Sequence, residues 1–429
     1  MRTITRRGLT VVSAAAAAAL LLAGCSGGGN TTPKHTPSAA PSDASGDLTL
    51  WVGSWWSTQV PTVVKAFEAD HPKIKLTIDA IPIDGYQDKF TSSTLGGNPP
   101  DLVDLDVSWL STYAGQKLLQ PVNDVAAKLD PKAYAPGPWN SSKYKGVQYG
   151  IPDRSASIAL FYNKTLFQQA GLAEPTNDWK WSDMVSDAEK LTDPSKKQYG
   201  LGMAADLSDP QNAMDTLAVS IWSHGGDFLN KDNTKAVIDS KASVAGLTAW
   251  ADLYTKDKVT PPGTPNFATT RDVVPLFQAG QLGMFIGGSN NNPTLDSTKG
   301  LQWGTVMVPG KTNISGGYTM AVPVGAKNPA AAKVFLQWLA NPDTQAKMVV
   351  RTPALLASLN MAPWNGPEFT TFNDATKYAK SLPPVASWTQ IQNIIITDAQ
   401  KILVGQFTPA QAGKDMATQI NAQLAKKSN

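Results

Sequence analysis

Short apolar runs alternate with amphipathic stretches along most of this chain. Positions 48–52 form an apolar run, and 60–69 carry Val63, Val64 and Phe67 on one side at helical spacing. Residues 74–78 (Ile-Lys-Leu-Thr-Ile) alternate with period two, which predicts a half-buried strand. A helix over 86–95, a strand over 101–105 and a helix over 108–116 complete the first set. A second set predicts strands at 158–162 and 282–286 and helices at 164–170, 181–191, 210–222, 243–256 and 272–279. Strands at 303–308 and 318–322 follow, then helices near 329–340, 343–351, 386–404 and 409–425. Repeated strand–helix–strand units imply an α/β chain with doubly wound, mainly parallel sheets. No repeat of fixed period is visible.

The first residues follow another pattern. Arg2, Arg6 and Arg7 precede an apolar stretch at 9–22, the layout of an export signal. The alternative, a membrane-spanning anchor, needs ~18–20 apolar residues, and this stretch is shorter and mostly alanine. Leu22-Ala23-Gly24-Cys25 looks like a bacterial lipobox, in which the cysteine thiol receives a diacylglycerol and becomes the new N-terminus. Arg6-Arg7 fits either a general or a twin-arginine export signal. Residues 1–24 are therefore expected to be a signal peptide. Residues 25–46 are expected to be the lipidated Cys25 and a flexible linker of Gly, Ser, Thr, Pro and Ala, spanning roughly 25 Å. The expected location is extracytoplasmic, tethered by lipid to the outer face of the cytoplasmic membrane.

Charge then narrows the chemistry. The chain has 37 Lys+Arg and 34 Asp+Glu, and losing the three signal arginines leaves 34 of each sign. A balanced chain offers no basic surface for nucleic acid. Cys25 is the only cysteine, so no disulfide is available, and the three histidines (His35, His71, His224) lie too far apart to suggest a zinc site. No metal and no cofactor are called for. Thirteen tryptophans are many for a chain that leaves the cytoplasm, because an exposed indole is costly.

Ordered motifs carry a resemblance. Gly46-Asp47-Leu48-Thr49-Leu50-Trp51, the helix end Phe67-Glu68-Ala69-Asp70-His71-Pro72 and the turn Gly96-Gly97-Asn98-Pro99-Pro100-Asp101 open the series. Tyr149-Gly150-Ile151-Pro152, Leu160-Phe161-Tyr162-Asn163-Lys164, Gly225-Gly226-Asp227, Phe277-Gln278-Ala279-Gly280, Met284-Phe285-Ile286-Gly287-Gly288 and Gly316-Gly317-Tyr318 continue it. Together they resemble extracellular solute-binding proteins of carbohydrate ABC importers. The resemblance implies a two-lobed periplasmic-binding-protein-like fold with a hinge of crossing segments and a sugar in the cleft. It implies lobe one from 47–153 plus 289–333 and lobe two from 156–286 plus 340–429. It also implies a monomer whose partners are a sugar or oligosaccharide, the transmembrane permease subunits and, through Cys25, the membrane.

A sugar site needs carboxylate, amide or guanidinium partners for hydroxyls and an aromatic plate for C–H faces. Trp55 and Trp56 follow the first strand, and one is expected to line the cleft while the other packs. Alternation puts Asp104 and Asp106 on one face of the third strand. Asp106 is a ligand candidate or the cap of the next helix, a role Ser108 could fill instead, and the first turn of that helix holds Trp109. Asp153 and Arg154, at the first crossover, read either as a clamp on hydroxyls or as an ion pair. Gly288, Ser289 and Asn290 follow the strand at the second crossover, Gly317 and Tyr318 sit in a glycine-rich loop, and Trp388 opens a late helix. Trp250 and Trp338 keep register with apolar neighbours and read as core. In the family an arginine commonly follows the proline near Arg351-Thr352-Pro353; here Arg351 precedes it, and no ligand role carries over to it.

No G-x-S-x-G elbow, phosphate loop or dinucleotide fingerprint is present. The reading is a binding protein, not an enzyme, that hands a sugar or oligosaccharide to an importer. A non-carbohydrate solute is the main alternative, and a surface glycoside-acting enzyme a lesser one.

Overall fold

The computed structural model describes residues 43–426. Its strands are β1 (Gly46–Gly53), β2 (Ile74–Ile81), β3 (Leu102–Asp106), β4 (Lys143–Tyr144), β5 (Val147–Gln148), β6 (Gly150–Ala156), β7 (Ile158–Asn163), β8 (Tyr199–Gly202), β9 (Leu282–Gly288), β10 (Trp303–Val306), β11 (Asn313–Ala321) and β12 (Ala379–Ser381). The expected strands and helices are present, most within a few residues of their predicted ends.

Two sheets organise two lobes. The first has the order β12-β11-β3-β1-β2, with β6 also paired to β11; the second has the order β10-β7-β9-β8. β1 runs parallel to β2 and β3, as right-handed strand–helix–strand units require. The strands next to the lobe crossing add antiparallel pairs: β11 with β3 and β6, and β7 with β9 and β10. Each sheet is therefore mixed, with parallel pairing kept where helices separate the strands.

Each lobe buries its own core. Leu48, Leu50, Phe67, Met320 and Phe335 lie in one cluster. Leu160, Met284, Trp250 and Ile395 lie in another. Two stretches join a different core from the one the resemblance implied. Leu295 and Trp303 pack with the second sheet, because β10 hydrogen-bonds to β7 before the chain returns at Asn313. Ala346, Met348 and Trp364 pack with the first core, and the chain re-enters the second only near Phe372.

The lobes are joined where β6 turns into β7 through Ser157. There the Asn313 side chain accepts from the Ile158 N–H (3.0 Å) and donates to the Ile158 carbonyl (2.7 Å), closing a ladder-like pair across the crossover. The lobes also touch across the cleft. Gln211 Nε2 donates to Ser108 Oγ at 2.9 Å, and Ser111 Oγ donates to the Val385 carbonyl at 2.9 Å.

Candidate functional site

A cavity of about 100 Å³ lies at the carboxyl end of β3, between the lobes. This is where open α/β sheets place ligands. Three elements of lobe one bring side chains to it. Asp106, the last residue of β3, caps the helix Val107–Gly115 by accepting from the Ser108 N–H at 2.8 Å. That helix turns Ser108 and Ser111 into the cavity, and β11 supplies Gly316, Gly317 and Tyr318. In register, Tyr318 lies between Asp106 on β3 and Arg154 on β6, so the three share one row across the sheet. Gly317 has φ +139°, and a Cβ there would sit 2.3 Å from the Arg154 carbonyl oxygen. Only glycine lets β11 approach β6 so closely.

Arg351 arrives by another route. Ser155 N–H donates to the Thr352 carbonyl (2.8 Å) and Ala354 N–H donates to the Asp153 carbonyl (3.2 Å), laying this segment along β6. The Arg351 guanidinium then lies 5.3 Å from the Trp55 ring centre and 5.6 Å from that of Tyr318. Lobe two answers with Gln211, Asn212 and Asp215 from the helix Pro210–Ser223, spaced to share one face.

Electrostatics divide these groups into two layers. Behind the cavity Arg154, fully buried, bonds Asp104 through Nη2 and Asp153 through Nε (2.8 Å). Its guanidinium lies 4.0 Å from the centre of the Tyr318 ring and 5.1 Å from that of Trp56. Burial, only partly offset by Arg154, pushes Asp104 from 3.8 up to about 7. The neighbouring Asp153 carboxylate, which shares the same arginine, raises Asp104 further. Facing the cavity, burial raises Asp106 while bonds from Ser108 and Gln211 pull it partly back. Burial also raises Asp215, and its charged neighbours Asp209 and Asp106 raise it further. Tyr318 is pushed up to about 12, again chiefly by burial.

The structure brings together Asp106, Gly288, Asn290, Gly317 and Tyr318 of the expected residues; all line the cavity. Asp106 is both cap and lining group, so the two readings of it coexist. Other expected residues lie elsewhere, for identifiable reasons. Trp56 is fully buried in the first core, whereas Trp55 stands beside the cavity, its ring 5.4 Å from Tyr318. Asp153 and Arg154 are buried in the ion-paired layer behind the lining. Ser289 turns its hydroxyl to Thr352 Oγ1 at 3.1 Å. Trp109 packs near Tyr86, and Trp388 is buried against Phe228 in the second core. The loop and helix starts that hold these tryptophans point them inward, a choice the local sequence does not reveal. Cys25 lies outside the described residues.

Sequence reasoning left out Arg351 and missed Gln211, Asn212 and Asp215. Arg351 carried no local signal, because a strand partner far away in sequence orients it. Asp215 did carry one: it is the only charged residue within the helix Pro210–Ser223, whose other residues from Ala213 to Trp222 are all buried. Among the described residues no group of three or more His, Cys, Asp or Glu is placed to hold a metal ion, and no helix is long and apolar enough to cross a membrane.

Comparison with known proteins agrees with this fold. The family described as bacterial extracellular solute-binding protein matches residues 55–346. A binding protein of Brucella abortus is 27% identical over 404 residues, covering 90% of this chain and 95% of that one. The diacetylchitobiose binding protein DasA of Streptomyces coelicolor is 24% identical over 411 residues, covering 90% and 91%. Among solved structures, an ABC transporter solute-binding protein from Thermotoga lettingae bound with α-D-tagatose aligns with TM-score 0.79 at 24% identity, covering 89% of this chain and 100% of that one.

Proposed function

The chain belongs to the bacterial extracellular solute-binding protein family, and from that premise we propose that it captures a sugar or oligosaccharide outside the membrane and delivers it to the permease of an ABC importer. The observation that carries this reading is the lining of the inter-lobe cavity. Asp106, Gln211, Asn212, Asp215, Asn290 and Arg351 offer acceptors and donors from both lobes, and Tyr318 offers a ring face. Hydroxyl groups both donate and accept, so a sugar can satisfy carboxylates and guanidinium together. By the same measure one water needs ~10–15 Å³, so about 100 Å³ admits on the order of eight water-sized groups, the scale of one sugar ring held in the cavity.

A ligand touching both lobes would favour the closed arrangement that the Gln211–Ser108 bond already spans, and the permease would read that state. The lipobox-like Leu22-Ala23-Gly24-Cys25 supports anchoring through a diacylglycerol on Cys25. Binding without turnover is the expected chemistry, in keeping with the relatives named for binding.

The test is a thermal-shift screen of the chain from Ser26 onward against mono-, di- and oligosaccharides, polyols, peptides and polyamines. A ligand at 100 times its dissociation constant adds about 2.7 kcal/mol. A shift with sugars and no hydrolysed product supports the reading. Silence across sugars with a shift from another solute class overturns the substrate, and release of hydrolysed sugar overturns the binding-only assignment. Radiolabelled palmitate incorporation that Cys25→Ser abolishes would support the anchor, and incorporation that persists would remove it.

A further inference from the structure

Asp215 is 8% exposed, lines the cavity and has no hydrogen-bond partner among the described residues. Gln211 and Asn212 of the same helix face are both engaged, Gln211 with Ser108 Oγ and Asn212 with Asp209 Oδ1 (2.7 Å). A nearly buried carboxyl group without a protein donor is costly unless something in the cavity meets it, and native structures rarely leave one so. The charged groups around it do not relieve it. The charged groups that act on it, Asp209 and Asp106, are both acids. Arg351 also lines the cavity, but its guanidinium lies against Trp55 and Tyr318 and makes no ion pair with Asp215. The lobe-two wall of the cavity therefore presents a carboxyl group with an acidic surround, whereas the lobe-one wall presents the cation.

Resting on the sugar-binding reading above, we propose that the ligand is a sugar-like molecule bearing a basic nitrogen, and that Asp215 is the residue that receives it. Hydroxyl groups engage Arg351, Asn290 and Asp106, and the ligand ammonium supplies the donor and the positive charge that Asp215 lacks. Charge-assisted bonds of this kind are about twice as strong as neutral ones. Burial and the neighbouring acids hold the Asp215 carboxyl well above the usual carboxylate range. Wherever the free protein keeps that proton, binding displaces it: the carboxyl O–H breaks, the proton passes to buffer, and an ammonium N–H donates to the carboxylate.

The experiment is titration calorimetry of the purified full-length protein with three matched sets: glucosamine, N-acetylglucosamine and glucose, and the same for galactose and mannose. At least one amine should bind tenfold or more tightly than its neutral parent and its acetamide. Its heat should differ between buffers of different ionisation enthalpy, reporting the released proton, while the heat of the parent should not. Asp215→Asn should bring the amine-to-parent ratio towards one. As pH falls from neutral the preference should fade, because a proton held on Asp215, as on its neighbour Asp106, competes with the ammonium, while Tyr318, raised to about 12, stays neutral. Neutral sugars binding as tightly as the amines overturn this inference and leave the sugar-binding reading standing. So does an amine preference that survives in Asp215→Asn. A failure of all nine sugars overturns this inference, and where only a non-carbohydrate solute binds it overturns the sugar-binding reading as well.

Discussion

Arg154 carries the widest consequences of any single residue. It sits between two acids and two rings, so one substitution reaches β3, β6 and the Tyr318 wall together. Arg154→Met should lower stability by about 3–5 kcal/mol in urea unfolding, because it leaves buried acids unpaired. The pH dependence has a definite sign. Asp104 is raised from 3.8 to about 7 chiefly by burial, and Asp153 is raised for the same first cause. Stabilisation by a raised carboxyl is complete below its unfolded value near 4 and is lost as pH rises through about 7. The melting temperature should therefore fall between mildly acidic and mildly alkaline buffer, and Asp153→Asn should flatten part of that fall. An unchanged slope would show that the triad holds no extra proton. At the cavity, Arg351→Ala should weaken ligand binding by about 1.5–3 kcal/mol, the scale of a bond to a charged group, with little loss of stability. Trp388→Ala should do the reverse, costing ~3–5 kcal/mol of folding energy through the hole it leaves beside Phe228. Sequence alone does not separate the two: Arg351 and Trp388 are both large side chains at the edge of a polar segment.

At the level of elements, the site is a set of strand ends and helix starts. β3 ends in the residue that caps the following helix, which fixes Asp106 at the mouth of the cavity and Ser108 and Ser111 one turn inside. β11 needs its positive-φ glycine to lie against β6. Gly317→Ala should destabilise by at least ~1–3 kcal/mol and weaken binding, since Tyr318 can no longer keep its place in the row with Asp106 and Arg154. Chemical denaturation and ligand titration of that variant check both effects, and normal behaviour in each would mean that β11 has slack the close approach denies. Period and capping signals made these elements legible, although the sequence left the cap open between Asp106 and Ser108 and the structure gives it to Asp106. The contribution of the helix Pro210–Ser223 was not read, although a lone Asp in a stretch that is otherwise small or apolar marks a face that something polar must meet.

For the whole molecule, closure is the quantity to measure. Gln211–Ser108 and Ser111–Val385 are bonds between lobes, whereas the Asn313–Ile158 pair lies at the crossover and persists through any rotation about it. A saturating ligand should reduce the radius of gyration in small-angle scattering relative to the ligand-free protein, and a cysteine pair replacing Ser108 and Gln211 should hold the ligand-free protein at the smaller value when oxidised. Equal radii in all states would remove hinge closure from the mechanism. The alternating pattern by itself determined the α/β elements, because periods of two and 3.6 are set by backbone geometry and need no partner. Motif order determined the two-lobed family. Only the tertiary structure decided which core takes 289–306 and 340–364, which tryptophans turn inward, and that Arg351 and Asp215 meet in one cavity. Those outcomes depend on pairings between segments more than a hundred residues apart, such as β6 with the 351–354 segment, and no local propensity encodes a contact at that separation.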